Sequence, residues 1–206
     1  MTYEEIKKNE EVNAYIKRGN DNLGVLGFTD HSQAHTAFVA ERAAYILEEL
    51  GYDAHQVELA INRKNHAEYG ALLANDILQK TDMSLEDRVT VMSAIGNHDE
   101  STGGAKDAVS AALIIADKTD VRRSRVRPQD RSKFDIHDRV NYAVTKSEIS
   151  IDKEKKTIVL NLSVDENICT MYEYFDIFLA RMMMCRGAAE ILDAGFKLRV
   201  NGDKVL

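Results

Sequence analysis

Along the first two thirds of the chain, apolar residues recur at helical spacing. Over the last third they alternate with period two before returning to helical spacing. Thr2 and Glu5 form a capping box that predicts a helix to about Gly19. Residues 19–29, GNDNLGVLGFT, read as a Gly-rich loop. Asp30 then caps a helix whose apolar face is Ala34, Phe38, Ala44, Tyr45, Leu47 and Leu50, and Gly51 ends it. Asp53 caps the next segment, AHQVELAI, which stops at Asn62-Arg63-Lys64-Asn65. Further helices are predicted over 66–79 and from Ser84 to about Gly96, followed by the loop HDESTGG. Asp107 opens a helix that carries Val109, Leu113, Ile114 and Ala116 inward and turns basic before Pro128.

The pattern changes after about residue 134. A short helix is expected over 136–144. The runs 148–151 and 157–162 alternate across the polar turn 152–156 and predict a hairpin. A long amphipathic helix over 167–192 and a final strand over 196–200 complete the chain. The expected fold is therefore mainly α: a helical bundle over 1–134, with a small C-terminal α+β domain over 135–206 made of hairpin, long helix and last strand.

Composition narrows the function classes. Of 206 residues, 44% are hydrophobic, enough for a sizeable core, and a single Pro leaves long stretches free to be helical. The net charge of −7 argues against a non-specific grip on nucleic acid or an anionic membrane. The N-terminus has no apolar core, and no apolar run has the length of a bilayer span. Cys169 and Cys185 form no CxxC pair and read as buried thiols in a reducing compartment. Together these point to a cytoplasmic protein.

His31 and His35 lie four apart at a helix start and so project from one face. Asp117 ends an apolar stretch, where a carboxylate is costly unless it pairs with a cation such as Lys118, an arginine or a metal ion. His66 opens one helix and His98 follows another. Histidines and carboxylates on several helix ends suit a mixed nitrogen and oxygen site for one or two divalent transition metals: Mn, Fe, Co, Ni or Zn. Each histidine taken alone is better explained as a cap or surface residue, and the metal reading rests on the joint pattern. The basic run Lys118, Arg122, Arg123, Arg125 and Arg127 fits a helix C-terminus. It also fits a phosphate clamp, since the guanidinium fork matches phosphate oxygens. On that reading, replacing Arg122 or Arg125 with Lys lowers turnover and leaves stability nearly unchanged. Met171, Phe175, Phe178, Met182, Met183 and Met184 form a stripe on the long helix, read as packing, with a homodimer as the second reading.

Several of these segments resemble the HD-domain metal-dependent phosphohydrolases. His31-Ser-x-x-His35 followed by Phe38-Val39-Ala40 resembles their first ligand motif. His66-Ala-Glu-Tyr-Gly70 resembles the second-metal histidine of binuclear members, and Ile95-Gly-Asn-His98 a later histidine. Ala116-Asp117-Lys118-x-Asp120, with Arg125 beyond it, resembles the closing aspartate motif. The resemblance implies an HD-domain-like helical bundle with His35, His66, His98 and Asp117 as metal ligands. It further implies a metal-activated water attacking a phosphoester or phosphoanhydride of a nucleotide-like substrate, with Asp117, Arg122 and Arg125 catalytic. The family's His-Asp dyad, expected between the first motif and His66, is absent: Val57-Glu-Leu-Ala60 runs straight into Ile61-Asn-Arg-Lys. The competing reading is a non-catalytic HD-like module that binds a phosphate ligand or a protein partner. The stretch from Asp53 to Ile61 is barely two turns, short for a helix that should cross a core. That shortness predicts further residues between Ala60 and Asn65 in the natural chain, and an elongated Cα step somewhere in 58–66.

Overall fold

A computed structural model of the chain describes residues 3–25, 30, 32–52, 67–100, 103–127 and 131–206. The stretch holding Asp53–Ile61 and the 58–66 step lies outside them, as do His31 and His66.

Eight α-helices are described: α1 (Tyr3–Lys8), α2 (Glu10–Val25), α3 (Gln33–Glu49), α4 (Ala67–Leu78), α5 (Leu85–Gly96), α6 (Ala108–Lys118), α7 (Ile136–Ala143) and α8 (Met171–Ile191). The first predicted helix divides at Asn9, whose Oδ1 accepts from Val12 N at 3.0 Å and so restarts the chain as α2. The expected Gly-rich loop is instead helical through Val25, so Gly19 and Gly24 are helix-interior positions.

α6 is the centre of the molecule. Asp107 caps it, accepting from Ser110 N at 2.7 Å, and every residue from Val109 to Ala116 is buried. A helix that is apolar all round has no solvent face and must be enclosed. Here α3, α5 and α8 enclose it. The inward face of α3 is His35, Val39, Ala40, Arg42, Ala43, Ala44, Ile46 and Leu47; Tyr45, expected inside, is partly exposed.

The hairpin forms as predicted. β1 (Val144–Asp152) pairs antiparallel with β2 (Thr157–Val164), with Ile149 opposite Leu160. β3 (Gly195–Val200) then lies parallel to β2, and β4 (Asp203–Lys204) closes an antiparallel turn on β3, giving the order β1-β2-β3-β4. A parallel join needs a crossover, and α8 supplies it. The sheet turns Ile158, Leu160, Leu162, Phe196, Leu198 and Val200 inward.

These sheet residues belong to the same hydrophobic cluster as Val39, Leu47, Leu113 and Ile114. The architecture is thus α+β, with a four-stranded mixed sheet built into the core, and it corrects the expected mainly α bundle with an appended hairpin. Period-two alternation showed that strands exist. That one of them inserts parallel beside β2 and shares the helices' core is a long-range fact that local periodicity does not carry. Among the described residues, no helix is long and apolar enough to cross a membrane.

Candidate functional site

The site forms where the N-terminal turn of α3 meets the C-terminal end of α6. Asp117 is the next-to-last residue of α6, and Asp120 follows three residues on. His35 is buried between them. Its Nδ1 lies 2.6 Å from Asp120 Oδ2, and its Nε2 lies 3.4 Å from Asp117 Oδ1. A carboxylate oxygen can only accept here, so with Asp120 ionised Nδ1 donates to it, and Nε2 is the ring nitrogen turned to Asp117.

Asp120 is fully buried and strongly held. Arg122 donates to it from Nε at 2.5 Å and from a terminal nitrogen at 3.1 Å. Burial alone would raise this carboxyl's pKa. Hydrogen bonds from His35 and Arg122, with the charge of Arg125 nearby, override burial and hold it at about 2. Reasoning from the sequence gives Asp120 no role of its own. The signal is present all the same: it follows Asp117 by one helical step, inside the closing motif.

Two arginines fix this corner. Arg42 donates to Thr119 O at 3.1 Å and to Ser147 O at 2.8 Å, while Ser147 Oγ donates to Thr119 O at 2.6 Å. The end of α6 is thereby tied to both α3 and β1. Burial pulls the Arg42 pKa down to about 10, so it remains a cation at neutral pH. Arg125 is also buried. Its terminal nitrogen donates to Asp120 O at 2.8 Å and its Nε to Asp30 O at 3.2 Å, while Asp30 N donates back to Arg125 O at 2.8 Å. The expectation that Arg125 is an exposed charge with little bearing on stability is therefore corrected. Arg122 differs: about a third of its side chain is exposed, and its guanidinium carbon lies 3.4 Å from the centre of the Phe38 ring.

Lys118 carries the network outward. Its Nζ is 3.1 Å from Asp117 Oδ2 and 3.6 Å from Glu100 Oε2, and Glu100 accepts from Arg181 of α8 at 3.0 Å. Glu100 belongs to the loop that holds His98. His98 Nδ1 donates to Ile95 O at 2.6 Å, which leaves Nε2 as the ring nitrogen turned away from that carbonyl. Gly103 and Gly104 close this loop by donating to Asp99 O and Asn97 O, each at 2.8 Å. The structure thus brings His35 and Asp117 side by side and joins the His98 loop to them through Glu100 and Lys118.

Among the described residues, no group of three or more His, Cys, Asp or Glu side chains is arranged to hold a metal ion. His35 and Asp117 nonetheless suit one as a pair. Two donors each about 2.1 Å from a common ion at a tetrahedral angle stand about 3.4 Å apart, and Nε2 and Oδ1 lie 3.4 Å apart. The Nδ1 contact to a buried carboxylate is of the kind that metal-bound histidines usually make through their second nitrogen.

No protein-family model matches the chain, and no solved structure matches it. The chain is similar to an uncharacterized protein of Methanocaldococcus jannaschii, 27% identical over 191 residues that cover 75% of this chain and 73% of the relative.

Proposed function

We propose that the protein is a metal-dependent phosphohydrolase of the HD-domain type acting on a nucleotide-like phosphoester or phosphoanhydride. The observation that carries the reading is the clamp on His35. One ring nitrogen is fixed by buried Asp120, and the other faces Asp117 at the spacing of two ligands on one ion. In this reading His35 Nε2 and Asp117 Oδ1 hold a divalent transition metal, with His66 and His98 contributing to the same or an adjoining ion. Such an ion supplies Lewis-acid polarisation of phosphoryl oxygens and a more acidic water. Asp120 positions His35. Arg122, poised over Phe38 with one edge open, neutralises charge on the transferring phosphoryl group. Arg125 orders the backbone beneath it. A cleft of about 430 Å³ adjoining Phe38, lined by Glu41, Tyr45, Glu148 and Asn161, has the volume for the organic part of such a substrate.

The absent His-Asp dyad favours a second reading, in which the site binds a phosphate ligand or partner without turnover. Hydrolysis of a nucleotide panel with added Mn, with and without chelator, separates the two. The enzyme reading expects chelator-sensitive turnover that His35→Ala abolishes. Metal binding without turnover of any nucleotide supports the binding module, and turnover indifferent to chelator contradicts the metal mechanism.

A further inference from the structure

α8 needs only one apolar face to serve the core, and that face is Tyr174, Phe178, Met182, Cys185, Ala188 and Ala189, all buried. It carries a second stripe on the opposite side. Tyr172, Asp176, Leu179, Met183, Arg186 and Glu190 follow one another at steps of four, three, four, three and four, and all six are exposed. Tyr172 is 80% exposed, Leu179 52% and Met183 47%. Alternating steps of four and three are the seam of a helix that packs along a second helix. Beside the seam, a Cβ built on Gly187 would meet nothing within 4 Å, so that flank is open to a close approach.

We propose that the occupant of this stripe is a second copy of the chain, with the two α8 helices antiparallel about a two-fold axis level with Arg181. The charges select both partner and direction. In the antiparallel arrangement Leu179 meets Met183 of the partner subunit at the centre. On either side Asp176 meets Arg186 of the partner subunit, and at the ends Tyr172 meets Glu190 of the partner subunit. A parallel pairing would set Asp176 against its own copy and Arg186 against its own copy, and like charges in opposition repel. A self-complementary surface of this kind is what an isologous dimer requires. The proposal stands independently of the metal site, since none of the six residues touches it.

The test is sedimentation velocity of the full chain from micromolar to hundred-micromolar concentration. Wild type is expected to dimerise. Asp176→Arg alone and Arg186→Asp alone are expected to be monomeric, because each faces two like charges across the axis. Mixed in equal amounts, the two variants are expected to form a heterodimer, since every opposition is then between unlike charges. The double variant D176R/R186D is expected to dimerise as wild type does. Circular dichroism confirms that each variant is folded. A wild type that stays monomeric throughout overturns the proposal, as do single variants that dimerise like wild type or a mixture that stays monomeric.

Discussion

Replacing Asp120 with Asn keeps the shape of the side chain and removes its charge, and two separate losses follow. The first is stability. With its pKa held at about 2 against an ordinary 3.8, the Asp120 carboxylate favours the folded state by about 2 kcal/mol at neutral pH, at about 1.4 kcal/mol per pH unit. In the Asp120→Asn variant, the new amide nitrogen would face Arg122 or His35, donor against donor, so little of that stabilisation is recovered. For a chain of this length the loss corresponds to a drop in Tm of about 4–8 °C. The sign with pH follows from the depressed value. The advantage of the parent protein is fully present above about pH 4 and fades as pH falls towards 2, where the native carboxyl takes up its proton. The second loss is metal affinity, since His35 would no longer have a carboxylate to fix its Nδ1 proton. Removing such an outer-shell partner lowers affinity about 10–100-fold. Thermal melts across pH, with titration of Mn into both proteins, read the two effects separately. Equal melting temperatures at pH 7 would refute the burial argument, and equal metal affinities would refute the positioning role.

Further outcomes are expected. A Cβ on Gly103 would lie 2.1 Å from Asn97 O and 2.6 Å from Asp99 O, whereas one on Gly104 meets nothing within 4 Å. Gly103→Ala should therefore distort the His98 loop and lower Tm, while Gly104→Ala leaves it unchanged; equal effects would contradict the close-approach argument. Arg125→Lys leaves the buried carbonyl of Asp120 and the half-buried one of Asp30 under-satisfied and should cost about 1–3 kcal/mol, measurable by urea denaturation. Arg122→Lys should cost less stability and more turnover, and the reverse order would exchange their roles. Finally, mass spectrometry of tryptic peptides from the native protein tests the gap. A partially cleaved peptide that reads 43–80 without interruption would show that the natural chain lacks the dyad, and an inserted stretch between Ala60 and Asn65 that contains His-Asp would restore it.

Some of this was legible in the chain and some was not. The caps Ser84 and Asp107 marked two helix starts correctly, because a side-chain oxygen beside an apolar run satisfies amides that nothing else reaches. The hairpin was legible because its alternation is local. β4 is too short for periodicity to mark, although Asn201-Gly202 stands between Val200 and Asp203. Both turn residues have positive φ, at 52° and 93°, as a tight hairpin turn requires. The parallel pairing of β2 with β3 depends on α8 folding back across the sheet, a contact between distant segments that no local pattern records. At the site, His35 and Asp117 were readable from type and placement. Asp120 was not, because its importance lies in which ring nitrogen it meets. The contrast between buried Arg125 and half-open Arg122 was likewise invisible, since both are arginines in one basic run.

The central claim is that His35 and Asp117 share a divalent metal ion, and direct titration of Co(II), followed by its visible absorption, tests it. Wild-type protein is expected to bind with a saturating spectrum. His35→Ala and Asp117→Asn are each expected to lose most of the affinity while remaining folded, and His31→Ala is expected to keep it. If His35→Ala and Asp117→Asn bind Co(II) as wild type does, the shared site does not exist. If His31→Ala loses as much affinity as His35→Ala, the choice of ligand is wrong.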